Sequence, residues 1–215
     1  MPVELVVFDL GGVMVRICRT WQQALRQIGV NPSRLLSTSG SLAADVAAAL
    51  AEANFAHETG RIDNDAFALQ IAAATGLTTV EVTAALAGWL LGPYPGIDAV
   101  VDRLERASVR TACLSNTNAM HWAAFHSNGP MRLPLDRLHH RIASHEVGAM
   151  KPAPDIYAAV ESQADITGER VLFFDDSLEN ITAAQSHGWQ ARQIDHAGDP
   201  MQQVHDVLSE LGLPQ

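Results

Sequence analysis

The chain has 215 residues, of which 47% are hydrophobic and 18% are charged, and its formal net charge at pH 7 is −10. These proportions exclude wholesale disorder, and the length fits one good-sized domain or a core with a modest insertion. The acidic balance and the absence of any run of Lys or Arg argue against nucleic acid and anionic lipid as partners.

The sequence shows no signal for a membrane or for secretion. No apolar run reaches the length of a membrane span, and the N-terminus lacks the basic segment of a signal peptide. The cysteines Cys18 and Cys113 have no metal-binding spacing, and two lone cysteines are more often reduced core residues than a disulfide. We therefore expect a cytoplasmic protein that is a monomer or a homodimer.

The first predicted element is a short Val-rich strand at residues 3–8, which ends in a glycine-containing turn at residues 9–12. A helical unit without a convincing strand follows at residues 20–91, and the breaker cluster GPYPG at residues 92–96 ends it. Its helical segments are 20–29, the Ala-rich stretch 41–55, 64–76 and 78–92. The proposed N-caps are Thr20, Asn64 and Thr78, the last in a capping box with Glu81.

After residue 96 the predicted elements alternate between helix and strand. The predicted helices are 97–107, 118–126, 154–163, 178–187 and 201–211. The predicted strands are 109–114, 141–144, 170–174 and 190–194. Such alternation predicts an α/β fold of the Rossmann-like kind, with helices on both faces of a parallel sheet.

Polar residues follow three of the predicted strands, at Asp9, at Ser115-Asn116 and at Asp175-Asp176. Ligands of open parallel sheets bind at the carboxyl ends of the strands, so neighbouring strands would bring three carboxylates and a hydroxyl together. Carboxylates this close repel each other, and a divalent cation offsets the repulsion. An all-oxygen ligand set suits Mg²⁺.

The chain contains one lysine, Lys151, among fourteen basic residues. A single lysine in a chain that otherwise uses arginine can mark a site that needs a compact point charge. A composition biased towards arginine would equally leave one lysine by chance. Together with a metal ion, an ammonium group can neutralise the charge of a phosphate group. Hydroxyl and amide donors can hold the phosphate oxygens, and the carboxylate of an Asp can attack the phosphorus atom. Taken singly, each of these residues is more often a turn, a cap or a surface residue, but their order at successive strand ends favours a site.

Four segments resemble the four motifs of haloacid-dehalogenase-like (HAD-like) hydrolases, in the order of that family. They are FDLGGV at 8–13, LSNTN at 114–118, KPAPDIY at 151–157 and FFDDSLEN at 173–180. The helical unit resembles the C1 cap, so the resemblance implies a catalytic core at residues 1–15 and 93–215 and a cap at 16–92. ETGRI at 58–62 resembles the branch of bacterial alpha-glucose-1-phosphatase and the N-terminal domain of soluble epoxide hydrolase.

The resemblance implies a Mg²⁺-dependent phosphomonoester hydrolase that acts on a small phosphorylated metabolite, such as a sugar phosphate. Asp9 would be the nucleophile, forming an aspartyl-phosphate, and a metal ligand. The backbone carbonyl of Gly11 and the carboxylate of Asp176 would complete the protein ligands, and Asp175 would orient Lys151 from the outer shell. The implied phosphate-binding residues are Ser115, Asn116 and Lys151.

The chain departs from the pattern of the family at Gly11, where most of its phosphatases carry a second Asp as general acid and base. Such help is worth about 10²–10⁴-fold in rate. A substrate with a good leaving group, such as a sugar 1-phosphate, would tolerate the loss, or a group of the cap or a loop would replace it. The candidates are His57, His121 and His145, each of which is more often a structural or surface residue.

Two other functions stay open at this point. A haloacid dehalogenase would use Asp9 on carbon without a metal, although the pair Asp175-Asp176 favours a metal. A non-catalytic HAD-like binding protein is kept open by Gly11 and opposed by the intact motif residues. The glycines after the first strand do not fit the GxGxxG pattern of dinucleotide binding.

We expect substrate specificity to lie in the cap, because a cap covers the strand ends and excludes water. The candidate cap or entrance residues are Arg16, Trp21, Phe55 and Trp89. Packing within the cap explains Trp21 and Trp89 at least as well, and a helix salt bridge explains Arg16 equally well.

Overall fold

The computed structural model describes residues 2–36 and 42–213 and contains two β-sheets. The strands are β1 (Leu5–Phe8), β2 (Val15–Ile17), β3 (Leu90–Pro93), β4 (Arg110–Ser115), β5 (His140–Ala143), β6 (Val171–Asp175) and β7 (Gln190–Gln193). The main sheet has the order β5-β4-β1-β6-β7, and all of its neighbouring strands are parallel. The predicted parallel α/β sheet is confirmed.

Helices cover both faces of this sheet. The α-helices are α1 (Trp21–Gln27), α2 (Ala44–Glu58), α3 (Asn64–Thr75), α4 (Thr79–Ala87), α5 (Ile97–Arg106), α6 (Ala119–His126), α7 (Ser144–Val147), α8 (Pro154–Ala164), α9 (Leu178–Ser186) and α10 (Pro200–Glu210). Apolar side chains of α5 and α10 pack in one core cluster, and those of α8 and α9 pack in another. After residue 96, every predicted helix and strand boundary lies within one residue of the observed one.

The central strand β1 connects the two core clusters. Val6 and Phe8 lie in the cluster with α5 and α10, whereas Leu5 and Val7 lie in the cluster with α8 and α9. A strand buried on both faces needs an uninterrupted apolar run, which explains the sequence LVVF. The amide of Asp9 continues the ladder by donating to the carbonyl of Phe174 at 2.8 Å, so the first polar residue falls at the strand end.

The helices between residues 20 and 91 pack around an apolar cluster of their own. Thr20 caps α1, and Thr78 forms the predicted capping box with Glu81 at the start of α4. The predicted cap of α3 was wrong by one residue, because the Asp63 carboxylate accepts from the Ala66 amide at 2.8 Å. The second predicted helix began at residue 41, which lies outside the described residues, and α2 runs three residues past the predicted end at Phe55.

The structure contains an antiparallel pair of strands, β2 and β3. Strand β3 occupies residues that were predicted to end the helix at 78–92, and no element was predicted at β2. Helix α4 ends at Ala87, and the amide of Cys18 donates to the carbonyl of Trp89 at 2.8 Å. The prediction failed because strands this short have little periodicity and pair with residues more than seventy positions away. The pair brings the two ends of the helical unit together beside the main sheet.

Cys18 and Cys113 are both buried and form no disulfide, as expected from the sequence.

Within residues 2–36 and 42–213, no single helix has the length and apolar character needed to cross a membrane. Helices α3 and α4 reach that length only when taken together, and they meet at an angle of 116°.

The turn after α2 fastens this helix against α7. The hydroxyl of Thr59 donates to the carbonyl of Phe55 at 2.6 Å and closes the last turn of the helix. Gly60 follows with φ of 69°, and a Cβ at this position would clash with the carbonyl oxygen of His145. Only glycine therefore fits both the backbone conformation and the close approach.

We predict that Gly60→Ala destabilises the protein more than Gly76→Ala does. Gly76 has nearly the same φ, 70°, but an added Cβ there meets no atom within 4 Å. The control variant should lose only the cost of a left-handed conformation, about 1–2 kcal/mol in the free energy of unfolding. Gly60→Ala adds the backbone clash, so urea unfolding that shows equal losses would contradict the close contact with α7.

Candidate active site

A buried lysine side chain joins the carboxyl ends of three adjacent strands. The Nζ atom of Lys151 donates to Asp9 Oδ1 and to Asp175 Oδ2, at 2.7 Å each, and to the carbonyl of Leu114 at 2.9 Å. Only 1% of this side chain is exposed. Asp9 follows β1, Asp175 ends β6 and Leu114 lies in β4, so the sheet order itself brings these groups to one point.

Asp175 is held by donors on both of its oxygens. The amide nitrogen of the Asn180 side chain lies 3.1 Å from each oxygen, and the backbone amide of Ser177 donates to Oδ1 at 2.8 Å. With Lys151 on Oδ2, this fully buried carboxylate has little capacity left for another ligand. Its position is that of a group which orients the lysine.

The Asn116 side chain fixes the backbone of Lys151. Its Nδ2 donates to the Lys151 carbonyl at 2.9 Å, and its Oδ1 accepts from the Lys151 amide at 2.8 Å. These two bonds tie the end of β4 to the loop before α8. The side-chain amide of Asn116 is therefore engaged within the protein, while the buried hydroxyl of Ser115 makes only a weak contact of 3.5 Å with the Asn116 carbonyl.

Negative charge exceeds positive charge around Asp9. Burial raises the pKa of Asp9 to about 7, the ammonium of Lys151 opposes this rise, and the carboxylates of Asp175 and Asp176 add to it. Burial alone would lower the pKa of Lys151, but Asp175 and Asp9 outweigh it and raise this pKa above its usual value. The lysine therefore stays charged, and the excess of carboxylates favours the binding of a further cation.

The chemistry of the carboxylates fits a divalent metal ion. Oxygen atoms of Asp9, Asp175 and Asp176 all lie within 4.8 Å of one another. The Asp176 carboxylate forms an ion pair with Arg19 at 2.5 Å, and Gly12, with φ of 87°, has no Cβ that would clash with it. Hard oxygen donors that outnumber the nearby cations are the set that Mg²⁺ prefers.

A pocket of about 130 Å³ lies next to these groups. Core residues of its lining include Gly11, Ser115 and Asn116, and the helical unit contributes Trp21, Asn54 and Glu58. The pocket thus opens between the strand ends and the helices that follow β2.

The sequence as a whole matches known proteins in the way these motifs suggest. A sequence model of the haloacid dehalogenase-like hydrolases matches residues 3–188. The chain belongs to this family. D-ribitol-5-phosphate phosphatase from Bacteroides thetaiotaomicron is 28% identical over 226 residues, which cover 96% of this chain and 99% of the relative.

Solved structures of other HAD-like proteins share the fold. A HAD family enzyme from Bacteroides thetaiotaomicron superposes with a TM-score of 0.76 at 25% identity, covering 93% of this chain and 97% of its own. A structure of the wild-type enzyme in complex with magnesium and inorganic phosphate superposes with a TM-score of 0.71 at 24% identity, covering 92% of this chain and 96% of its own. This HAD-like hydrolase therefore has the same fold as these solved structures.

The histidines proposed as substitutes for a second Asp are largely occupied by other contacts. His57 shares a hydrogen bond of 2.8 Å with Asn64, and burial lowers its pKa. His121 shares one of 2.8 Å with the carbonyl of Leu86, and burial lowers its pKa to about 4. The Nδ1 atom of His145 is buried without a hydrogen-bond partner in the described part of the chain, and this residue is not among those that line the pocket.

The proposed entrance residues fall into two groups. Trp21 and Trp89 line the pocket of this HAD-like hydrolase and also contact each other, with ring centroids 5.6 Å apart. Arg16 is exposed on β2, with its Nε 3.5 Å from the carbonyl of Gly92. Phe55 is 44% exposed and packs under the guanidinium of Arg61. Neither Arg16 nor Phe55 is among the residues that line the pocket. Arg16 directly follows the first motif in sequence, but this nearness does not bring its side chain to the pocket.

Sequence reasoning assigned no role to Arg19, Glu58 or Asn180, all of which contribute to this region. Asn180 stood in the fourth motif and Glu58 in the segment that resembled a cap sequence, so both were visible but unassigned. A helical projection would have shown that Glu58 lies on the same side of α2 as Asn54, four residues earlier. Both residues line the pocket. Arg19 gave no local signal, because its partner is 157 residues away.

We predict that Lys151→Met destabilises this HAD-like hydrolase by about 3–5 kcal/mol, because two buried carboxylates would lose their shared cation. The measurement is the free energy of urea unfolding at neutral pH. Arg137→Met is the matched control, since Arg137 also pairs with several carboxylates but has 30% of its side chain exposed. Solvent screens that network, so its loss should be much smaller. Equal losses would contradict a buried, interdependent lysine site.

Proposed function

We propose that this chain is a Mg²⁺-dependent phosphomonoester hydrolase that acts on a small phosphorylated metabolite through an aspartyl-phosphate intermediate on Asp9. The observation that carries this proposal is the buried ammonium of Lys151 between Asp9 and Asp175, with Asp176 close by. The phosphatase name of a relative that spans 96% of the chain supports the same reaction class.

In the first step, a carboxylate oxygen of Asp9 attacks the phosphorus atom, and the bond from phosphorus to the leaving oxygen breaks. Lys151 orients the attacking carboxylate and offsets the charge of the phosphate. Asp175 keeps Lys151 in place and charged, which its hydrogen bond of 2.7 Å supports. In the second step water attacks phosphorus, and the bond from phosphorus to Asp9 breaks.

The proposed metal ligands are Asp9, Asp176 and the backbone carbonyl of Gly11. When bound, Mg²⁺ supplies positive charge for the phosphate oxygens. The excess of carboxylates near Asp9 supports this assignment, as does the magnesium in a structural neighbour of the same fold. Asp175 stays in the outer shell, since its oxygens already accept four hydrogen bonds from Lys151, Ser177 and Asn180.

Ser115, Asn116 and Lys151 are the proposed phosphate-binding residues. Ser115 would act through its hydroxyl group. For Asn116 the backbone amide is the suitable donor, because both ends of the side-chain amide bond to the backbone of Lys151. Phosphate held in this way would lie between the metal and the lysine, as catalysis by positioning and charge stabilisation requires.

We also propose that residues 16–92 are a cap over a catalytic core made of residues 1–15 and 93–215. The separate apolar cluster of the helical unit and the mixed lining of the pocket support this division. A pocket of about 130 Å³ suits a small substrate. A polyol phosphate or sugar phosphate is the proposed class, given that the relative is named for ribitol 5-phosphate.

The wild-type protein should release phosphate from members of a polyol-phosphate and sugar-phosphate panel when Mg²⁺ is present. A chelator should stop the reaction, and added Mg²⁺ should restore it. Asp9→Asn should reduce release to background, whereas Asp206→Asn, an exposed carboxylate on α10, should leave it unchanged. Halide release from a 2-haloacid in the presence of chelator would instead favour the dehalogenase alternative.

Two substitutions should change the Mg²⁺ requirement in opposite directions. Asp176→Asn removes a charged ligand and should raise the half-saturating Mg²⁺ concentration at least about tenfold. Arg19→Gln removes the guanidinium group that pairs with Asp176 and should lower this concentration. The measurement is phosphate release across a Mg²⁺ titration. Shifts of the same sign in both variants would argue against Asp176 as the metal ligand.

A further inference from the structure

Gly11 has no side chain that could act as a general acid or base, but the helical unit contributes a carboxyl group to the same pocket. Glu58 is the last residue of α2, and it lines the pocket together with Gly11, Ser115 and Asn116. It is partly buried, and no group among residues 2–36 and 42–213 donates a hydrogen bond to its carboxylate. With no such donor among the described residues, the carboxyl group of Glu58 is available to a substrate in this pocket.

The neighbours of Glu58 in sequence fix its position. On one side, His57 bonds to Asn64 at 2.8 Å and stacks on Phe67, with ring centroids 4.4 Å apart. On the other side, the Thr59 hydroxyl closes the helix, and Gly60 lies against the backbone of His145 in the core. Both flanks of Glu58 are therefore immobilised by packing, as a group that must meet a reacting atom requires.

The protonation state of Glu58 suits proton transfer near neutral pH. Burial raises its pKa to about 7, and the ammonium of Lys151 limits this rise. The other titratable groups that line the pocket, His57 and His121, have pKa values lowered by burial and are neutral at this pH. His145 on α7 lies outside the lining. General acid–base catalysis works best when the pKa lies near the operating pH.

We propose that Glu58 is the general acid and base of this enzyme, in place of the Asp that is absent at Gly11. The inference rests on the proposed phosphatase function. When Asp9 attacks phosphorus, the electron pair of the breaking ester bond goes to the leaving oxygen, which takes the proton of the Glu58 carboxylic acid. Water then attacks the aspartyl-phosphate, its proton goes to the Glu58 carboxylate, and the bond from phosphorus to Asp9 breaks.

The test compares phenyl phosphate with 4-nitrophenyl phosphate, two substrates of similar shape. Phenolate is a poor leaving group that needs a proton, whereas 4-nitrophenolate leaves without one. Glu58→Gln should lower kcat/KM for phenyl phosphate about 10²–10⁴-fold and change kcat/KM for 4-nitrophenyl phosphate much less. With phenyl phosphate, the wild-type kcat/KM should fall as pH rises above about 7, because the acid form is lost, and this fall should be absent in Glu58→Gln.

Two further variants control the experiment. Glu52→Gln makes the same chemical change at an exposed position of the same helix and should behave like the wild type. Gly11→Asp in the Glu58→Gln background places an acid where most phosphatases of the family carry it. A Cβ at Gly11 would lie 2.9 Å from Cδ1 of Ile17, the mobile end of a flexible side chain, so there is room after a small shift. Recovery of phenyl phosphate turnover supports the proton-transfer role.

Several outcomes would overturn the proposal. If Glu58→Gln lowers kcat/KM equally for both substrates, Glu58 binds or positions and does not transfer a proton. If it changes neither, Glu58 has no part in the reaction. Both outcomes require that the wild type is active with Mg²⁺ and that Asp9→Asn is inactive, so they leave the phosphatase function intact. A wild type that releases no phosphate from any ester, or an Asp9→Asn variant that does, overturns both proposals.

Discussion

A single ammonium group between two buried carboxylates organises this end of the molecule. Lys151 lies on a loop, yet its donors reach the ends of three strands, at Asp9, Leu114 and Asp175. An ion pair buried this deeply costs desolvation energy, which is recovered only when every partner is in place. Asn116, Ser177 and Asn180 supply the remaining bonds. The desolvation cost of this buried ion pair is understandable if the site holds a phosphate group, as we propose.

The same arrangement leaves an electrostatic imbalance that the chemistry can use. Asp9, Asp175 and Asp176 surround one lysine, and Arg19 pairs only with the outermost of the three. An additional divalent cation would relieve this repulsion and would leave Asp9 ionised, as its proposed role as nucleophile requires. Asp175, held by four hydrogen bonds, would be the least affected. The proposed roles of the three carboxylates thus rest on their hydrogen-bond partners more than on their positions in the motifs.

Helix α2 links the helical unit to the core at the point where the pocket opens. Its last turn ends on Glu58, Thr59 and Gly60, and the glycine allows the backbone to approach α7 closely. A shift of this contact would move Glu58 relative to Asp9. If Glu58 transfers the proton, then the acid and the nucleophile come from different structural units, and a correct fit of these units is a condition for catalysis.

The sequence alone determined the α/β class, the family and the boundaries of the elements that it predicted after residue 96, although it did not predict α7. Regular periodicity, breaker residues and the four ordered motifs are local properties of the sequence, so they can be recognised without a structure. The strand-end positions of Asp9, Ser115 and Asp175 were also local, because each polar residue directly follows an apolar run. Only the tertiary structure decided the strand order, the β2–β3 pair, the Arg19–Asp176 contact and the place of Glu58 at the pocket. These depend on contacts between residues distant in sequence, and such contacts are set by packing and burial, which no short window of sequence contains.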